Sequence, residues 1–239
     1  NPRALVIGGI GGAPDNLTAD FIAAGGLQWV DAINVHIYPG AASPEGYLPG
    51  LERLNAAMEK AGGRKPIWDT EGCYYADDDL PIEPFEGHWA TPLDSERECA
   101  TFQVRLDVLL LAHGVRKIIY HSGTPGSINN EDLAGVFYEW DGAPRKMAVT
   151  QATLTALLGP DTVALGAMAD RPRAYAFRSR GRTVVVLWDD RGAGHHISPG
   201  PDARLLDIQG NELRTAGAPL DDTPCYLVLQ GSPEPARLR

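Results

Sequence analysis

Short apolar runs alternate with segments of helical periodicity as far as residue 159. The four apolar runs cover residues 4–7, 30–38, 66–70 and 117–120. Apolar residues spaced three or four positions apart predict helices between and after them, at residues 17–24, 49–61, 95–114 and 144–158. Strands that alternate with helices are typical of a parallel sheet built from βα units.

Local signals support the helix boundaries. The second helix is followed by Gly62 and Gly63, which favour helix termination. At the third helix Ser95 is suited to the N-cap, and Glu96 and Glu98 place negative charge in the first turn.

The pattern changes after Gly159 to short alternating strands separated by turn residues. These strands are predicted at residues 174–178, 183–188, 203–207 and 226–229. They indicate an antiparallel β-domain. The expected organisation is therefore an α/β domain over residues 1–159 and a β-domain over residues 160–239.

Four parallel strands leave two sheet edges to be accounted for. Parallel strands are normally buried on both faces, and an exposed edge invites pairing with another strand. The pattern alone leaves two alternatives open: a small open α/β domain, or half of a larger barrel completed by a missing half.

Charge and composition narrow the class of ligand. The net charge of −10 would repel phosphates, so nucleic acid and anionic membranes are poor partners, whereas neutral ligands such as sugars are compatible. No apolar run reaches the length of a membrane span. The three cysteines, Cys73, Cys99 and Cys225, fit neither a disulfide framework nor a zinc motif.

The start of the chain suggests a beginning inside a larger protein or a processed start. The sequence begins with Asn1 rather than with an initiator Met, no signal peptide follows, and the first apolar run begins at Ala4. Cellular localisation therefore cannot be inferred from this end of the sequence.

Polar side chains are concentrated where the apolar runs end. His36 and Tyr38 end the second run and alternate onto one face, Glu71 ends the third, and Tyr120 and His121 end the fourth. Active sites of parallel α/β folds lie at the carboxyl ends of the strands. We therefore expect these side chains to converge on one concave site.

Glu71 is the strongest candidate for chemistry. A carboxylate at the end of a buried strand costs free energy unless it is paired or functional, so the alternative role is a structural ion pair. Asp69 lies two residues earlier on the same face and deeper. We expect it to hold a neighbour by hydrogen bonding rather than to react.

Other patterns do not support a cofactor. Residues 8–12 are glycine-rich, but Pro14 occupies the third glycine position of a dinucleotide motif and no P-loop follows. The Asp77-Asp78-Asp79 run lacks EF-hand spacing, and His195-His196 has no partners at metal-ligand spacing. We expect neither a metal nor an organic cofactor.

Two segments resemble barrel strands of clan A glycoside hydrolases. Residues 65–72 (KPIWDTEG) resemble the seventh strand, in which a Lys- or Pro-led apolar run ends in Thr-Glu and the Glu is the nucleophile. Residues 30–39 (VDAINVHIYP) resemble the sixth strand with its His-x-Tyr end. The resemblance implies a (β/α)8 TIM barrel and assigns Glu71 as the nucleophile.

The likeness extends over nearly the whole chain, although each motif is only moderately specific. Residues 4–9 fit the fifth strand and residues 117–123 the eighth, and the helix after residues 141–144 (DGAP) resembles the closing helix. The β-domain resembles the accessory β-sandwich of the β-xylosidase and α-L-iduronidase family. These matches imply strands 5–8 of the barrel followed by a small antiparallel β-sandwich.

The implied function is retaining hydrolysis of a poly- or oligosaccharide, with one carboxyl group missing. Such enzymes need a nucleophile and an acid/base about 5–5.5 Å apart. In this clan the acid/base Glu follows an Asn on the fourth strand, which would precede Asn1. The pair Asn130-Glu131 follows the eighth strand, and we interpret it as a loop coincidence.

The N-terminal half of the barrel is therefore expected from missing residues or from another chain. Beside the nucleophile Glu71, the side chains expected to bind or orient substrate are His36, Tyr38, Trp89, Tyr120 and His121. The alternative is a non-catalytic carbohydrate-binding or scaffolding protein derived from a glycosidase barrel.

Overall fold

The computed structural model describes residues 3–9, 12, 14, 16–78, 91–121, 136–139, 141–213 and 217–230. The chain divides into two compact units, Asn1–Arg145 and Lys146–Arg239. Among the described residues, no helix is long and apolar enough to cross a membrane.

The first unit is organised around a parallel sheet. Its strands follow chain order: β1 Ile7–Gly8, β2 Ala32–His36, β3 Ile67–Glu71 and β4 Val115–Ile118. β2 pairs in parallel with β3, and β1 and β4 flank them. The predicted parallel sheet is thus confirmed, with the Glu71 strand in a central position.

The helices of this unit lie close to the predicted positions. They are α1 Asn16–Ala23, α2 Leu48–Lys60 and α3 Glu96–Ala112, with 3-10 helices at Gly26–Trp29 and Pro44–Tyr47. The Oγ of Ser95 accepts a hydrogen bond from the Glu98 backbone N–H at 3.1 Å, which confirms the predicted N-cap.

Strand boundaries are less well predicted than helix boundaries. β1 begins at Ile7 rather than residue 4, and β4 covers Val115–Ile118 rather than residues 117–120. Backbone hydrogen bonds continue just beyond these bounds, since the Val6 carbonyl accepts from the Asp31 N–H at 2.7 Å and the Ile119 N–H donates to the Asp69 carbonyl at 2.9 Å. Tyr120 and His121 follow β4 rather than end it.

The core of the first unit includes buried side chains of the central strands and of α3. Ile33, Val35 and Ile67 have no exposed surface, and Val104 and Val108 of α3 are equally buried. Two charged residues of the same helix, Arg105 and Asp107, are also buried. Their partners are close to the strand ends and are described with the site.

The second unit begins with a helix and continues as an antiparallel sheet. Helix α4, Lys146–Leu157, belongs to this unit, whereas the sequence pattern suggested a boundary after residue 159. The strands of this unit are β5 Val163–Asp170, β6 Arg173–Ser179, β7 Arg182–Trp188, β8 His196–Ile197, β9 Ala203–Leu206, β10 Ala218–Pro219 and β11 Cys225–Gln230. The order in the main sheet is β5-β6-β7-β11-β9, and β8 pairs with β10.

A two-residue turn sets the register at the centre of this sheet. Ser179 pairs with Arg182, and the intervening Arg180 and Gly181 have φ angles of 51° and 72°. Two positive φ angles are typical of a type I′ hairpin turn, whose twist matches that of the flanking strands. The predicted antiparallel sheet is confirmed, but its first strand, β5, had not been predicted.

Candidate active site

Three predicted side chains meet at the carboxyl ends of β2 and β3. The Tyr38 hydroxyl donates a hydrogen bond to Oε1 of Glu71. His36 Nδ1 lies 3.7 Å from Oε2 of the same carboxylate. The Glu71 side chain is 41% exposed and that of His36 is 30% exposed. The carboxylate is therefore hydrogen-bonded by Tyr38 and flanked by His36, while it remains accessible to a ligand.

A change of register between β2 and β3 directs Glu71 into this position. Val35 pairs with Asp69, but the next residue, His36, pairs with Glu71, so Thr70 is the extra residue of a β-bulge. The Thr70 hydroxyl donates to Oδ1 of Asn34 on β2. Bulges bend the strand locally and are common beside active sites, where they re-aim side chains.

Gly72 allows the chain to leave the bulge close to β2. A Cβ at this position would lie 2.0 Å from the Ile37 carbonyl oxygen and 2.6 Å from its carbon. The Ile37 N–H in turn donates to the Glu71 carbonyl at 2.9 Å. Only glycine permits this approach, which keeps Tyr38 within reach of Glu71.

His121 reaches the same site from the end of β4. Its ring lies edge-on to Tyr38, with ring centroids 6.0 Å apart. Its Nδ1 lies 3.3 Å from the Tyr75 hydroxyl, and its carbonyl accepts from Cys73 Sγ at 3.3 Å. The segment that follows Glu71 thus anchors His121 beside Tyr38.

Tyr120 is directed differently. Its hydroxyl donates to Oδ2 of Asp107 at 2.6 Å, and its ring lies edge-on to Phe137 with centroids 5.3 Å apart. The hydroxyl is thereby directed towards α3, and no described contact joins it to Glu71. The predicted contact between Tyr120 and a sugar remains a prediction.

The remaining predictions fall on buried or undescribed residues. Tyr74 and Tyr75, in the segment after Glu71, are buried, so they support the site from within rather than line its wall. Trp89 and the pair Asn130-Glu131 lie outside the described residues.

A buried ion pair fixes the segment that follows Tyr38. Arg105 of α3 donates from Nε to Oε1 of Glu45 at 3.0 Å and from Nη2 to Oε2 at 2.5 Å. The Tyr47 hydroxyl donates to the Tyr38 carbonyl at 3.3 Å, and the Tyr74 hydroxyl donates to the Ala42 carbonyl at 2.7 Å. A bidentate Arg–carboxylate pair in a buried setting gives this loop a defined geometry.

Burial shifts the acid–base behaviour of the groups around Glu71. Desolvation, together with the Asp107 charge, raises the pKa of Asp69 to about 8 against the opposing effect of the Ile37 and Glu71 backbone N–H groups. Desolvation, followed by the hydrogen bond to Glu71, raises the pKa of Tyr38 well above its usual range. Tyr38 is therefore a permanent hydrogen-bond donor to the carboxylate.

Sequence reasoning overlooked Asp107 and gave no role to its helix neighbour Gln103. Gln103 Nε2 donates to Asp107 Oδ1 at 2.8 Å, and Gln103 Oε1 accepts from the Tyr74 N–H at 3.0 Å. The sequence could have indicated Asp107, because it is a charged residue inside the apolar stretch of α3 and lies four positions after Gln103.

The part of the chain that the structure describes contains no cluster of three or more His, Cys, Asp or Glu side chains suited to a metal ion. In the second unit His195 Nδ1 pairs with Asp189 Oδ2 at 2.8 Å, and His196 Nδ1 lies 2.9 Å from the Gly217 carbonyl. The two imidazoles thus have separate structural partners.

Comparison with known proteins identifies similar folds but no sequence family. No protein-family profile matches the chain, and no curated protein matches it. Among solved structures, a family 39 glycoside hydrolase from Bacteroides cellulosilyticus WH2 has a TM-score of 0.70 at 20% identity, covering 96% of this chain and 51% of its own.

Two further structures agree with this likeness. A family 30 subfamily 8 xylanase from Clostridium acetobutylicum has a TM-score of 0.59 at 12% identity, covering 96% of this chain and 57% of its own. A glucosidase from Croceicoccus marinus has a TM-score of 0.56 at 14% identity, covering 97% of this chain and 61% of its own. The chain therefore has an α/β fold similar to that of glycoside hydrolases, and it spans about half to three-fifths of their length.

Proposed function

We propose that this chain forms part of a retaining glycoside hydrolase acting on a poly- or oligosaccharide, with Glu71 as the nucleophile. The observation that carries the proposal is the environment of Glu71. Its carboxylate ends a central parallel strand, is accessible, and is held by the Tyr38 hydroxyl with His36 nearby. This is the position and restraint that nucleophilic attack on a bound sugar requires.

The reaction needs a second carboxyl group. Glu71 attacks the anomeric carbon as the leaving-group oxygen takes a proton from an acid/base residue, and the glycosyl-enzyme is then hydrolysed by a water that the same residue deprotonates. We assign that role to a Glu outside residues 1–239. Tyr38 keeps Glu71 oriented, and His36, His121, Tyr120 and Trp89 are the proposed sugar-binding residues.

The same proposal interprets the first unit as strands 5–8 of a (β/α)8 barrel. Apolar side chains are exposed near both edges of the parallel sheet: Leu5 and Val6 before β1 and Ile7 at its start are 56%, 47% and 37% exposed, and Ile119 after β4 is 47% exposed. Exposed apolar strand edges are avoided unless something covers them. Further parallel strands, from missing residues or another chain, would cover both, and the second unit would be the accessory β-sandwich.

The test uses the assembled enzyme, with a panel of aryl glycosides to find the accepted sugar. Glu71→Gln should lower kcat by several orders of magnitude with little effect on substrate binding, since the amide is nearly isosteric but cannot form the covalent intermediate. Azide should restore turnover to this variant and give a glycosyl azide of inverted configuration. Glu59→Gln is the matched control, because Glu59 is exposed and pairs with Arg64 on the surface.

A 2-deoxy-2-fluoro derivative of the accepted glycoside then identifies the nucleophile by mass spectrometry of the labelled peptide. The label is expected on Glu71. A label elsewhere, or a Glu71→Gln variant that keeps more than about a tenth of the wild-type kcat, would refute the assignment. A protein that binds the sugar but hydrolyses no member of the panel would support the carbohydrate-binding or scaffolding alternative.

A further inference from the structure

Two buried carboxyl groups lie on the inner side of the candidate active site. Asp69 precedes Glu71 by two residues on β3 and is only 2% exposed, and Asp107 of α3 is 1% exposed. Asp107 is the charge that acts most strongly on the Asp69 carboxyl. Neither residue is used by the proposed reaction, yet both are placed where charge is costly.

The two carboxyl groups have different hydrogen-bond environments. Both oxygens of Asp107 accept hydrogen bonds, Oδ1 from Gln103 Nε2 at 2.8 Å and Oδ2 from the Tyr120 hydroxyl at 2.6 Å. Donors directed at both oxygens stabilise the ionised form. Within the described residues, Oδ1 of Asp69 is buried without a hydrogen-bond partner, an arrangement that favours the neutral form.

We propose that of these two interacting carboxyl groups only Asp69 carries a proton while Asp107 stays ionised, so that release of this proton places a second buried negative charge beside Glu71. The raised pKa of Asp69, about 8, agrees with the geometry. Two interacting carboxyl groups titrate as a pair, and loss of the first proton greatly raises the cost of losing the second.

The two charges that act most strongly on Asp69 are both negative and come from α3 and from its own strand, β3. Asp107 and Glu71 act on Asp69 as negative charges, whereas the Ile37 and Glu71 backbone N–H groups favour its ionised form. The Asp69 charge in turn raises the pKa of Tyr38, Tyr47, Cys73 and Tyr120. Release of the Asp69 proton therefore adds repulsion to a neighbourhood that already carries net negative charge.

The pair is detected through the pH dependence of unfolding, which does not depend on the proposed function. Asp69 has a pKa of about 8 in the folded protein against a usual value of 3.8. Between these values the Asp69 carboxyl binds a proton in the folded state but not in the unfolded state, so its contribution to stability falls as pH rises and becomes constant above about pH 8. One proton corresponds to a tenfold change in the unfolding equilibrium constant per pH unit.

Asp69→Asn removes this dependence, because the amide resembles the neutral acid and does not titrate. We expect the ratio of the wild-type to the Asp69→Asn unfolding constant, measured by urea denaturation, to rise by up to tenfold per pH unit from pH 5 to pH 8. A ratio that stays constant over this range would overturn the proposal. In Asp107→Asn the pH at which the Asp69 contribution to stability becomes constant should be lower than in the wild type, since this substitution removes the charge that retains the proton.

If Asp107→Asn, and not Asp69→Asn, abolished the pH dependence, the proton would belong to Asp107 and the assignment would be wrong. Should either variant fail to fold, infrared difference spectroscopy of the wild-type chain replaces the denaturation experiment. A protonated carboxyl band that disappears near pH 8 supports the proposal, and its absence at pH 6 refutes it.

The consequence for activity rests on the proposed function. In the assembled enzyme the ionisation of Asp69 should contribute an alkaline decline in kcat near pH 8 that Asp69→Asn shifts or removes. A stability profile as described, combined with no glycosidase activity at any pH, would leave the carboxyl pair established and refute the proposed function alone.

Discussion

The close approach of Gly72 to Ile37 can be tested with a single added methyl group. In Gly72→Ala the new Cβ would lie 2.0 Å from the Ile37 carbonyl oxygen, so that oxygen must withdraw by about 1 Å or more to reach even a 3.0 Å contact. The obstacle is main chain rather than a flexible side chain. Because Tyr38 follows Ile37, the displacement should also pull the Tyr38 hydroxyl away from Glu71.

The loss of stability expected for Gly72→Ala has two contributions, backbone strain and steric overlap. An alanine at a φ of +155° loses backbone freedom that glycine has, and overpacking of this kind typically costs about 1–3 kcal/mol. Gly63→Ala is the matched control, since Gly63 has a φ of +129° and nothing within 4 Å of its added Cβ. Gly72→Ala should therefore be about 1–3 kcal/mol less stable than Gly63→Ala.

Urea denaturation followed by circular dichroism measures the difference. With an m-value of about 2 kcal/mol/M, the midpoint of Gly72→Ala should lie about 0.5–1.5 M below that of Gly63→Ala. In the assembled enzyme a 1 Å displacement at the site should also lower kcat by about 100-fold. Equal midpoints for the two variants would refute the inference that the Gly72–Ile37 contact constrains the site.

Two further predictions concern contacts around Glu71. Denaturation at about pH 11 exposes buried tyrosines, which then form phenolate and increase the absorbance. Because the raised pKa of Tyr38 keeps it protonated until the fold opens, this increase should be smaller in Tyr38→Phe than in the wild type by the amount that one tyrosine contributes. An unchanged increase would show that Tyr38 titrates in the folded protein. Glu45→Ala leaves the buried Arg105 without its counter-charge and should cost about 3–5 kcal/mol of stability. The control Glu59→Ala, which breaks an exposed pair, should cost at most about 1 kcal/mol. Equal losses would mean that the Glu45–Arg105 pair adds nothing beyond a surface ion pair.

Much of the first unit was predictable because its signals are local. The period of three to four residues in the helices, the Ser95 N-cap and the glycines after α2 are encoded by neighbours in sequence. Alternation along the second apolar run also placed His36 and Tyr38 on one face, and the rule that strand ends carry the site brought them to Glu71.

Strand β5 shows where local signals fail. Residues 163–170 (VALGAMAD) are rich in Ala and Gly, which have low strand propensity, so the segment does not resemble a strand by itself. It forms one because β6 presents an unpaired edge along its whole length. The pairing partner, rather than the segment, determines this element.

The detailed geometry of the site was decided only in the tertiary structure. Thr70 becomes the bulged residue because β2 and β3 change register there, and Gly72 is required because Ile37 approaches it from another strand. Asp69 and Asp107 are far apart in sequence, and the packing of α3 against the sheet brings their charges together and turns the Tyr120 hydroxyl inward. Periodicity determines which face a side chain occupies, whereas register, burial and pKa depend on partners that the local sequence does not contain.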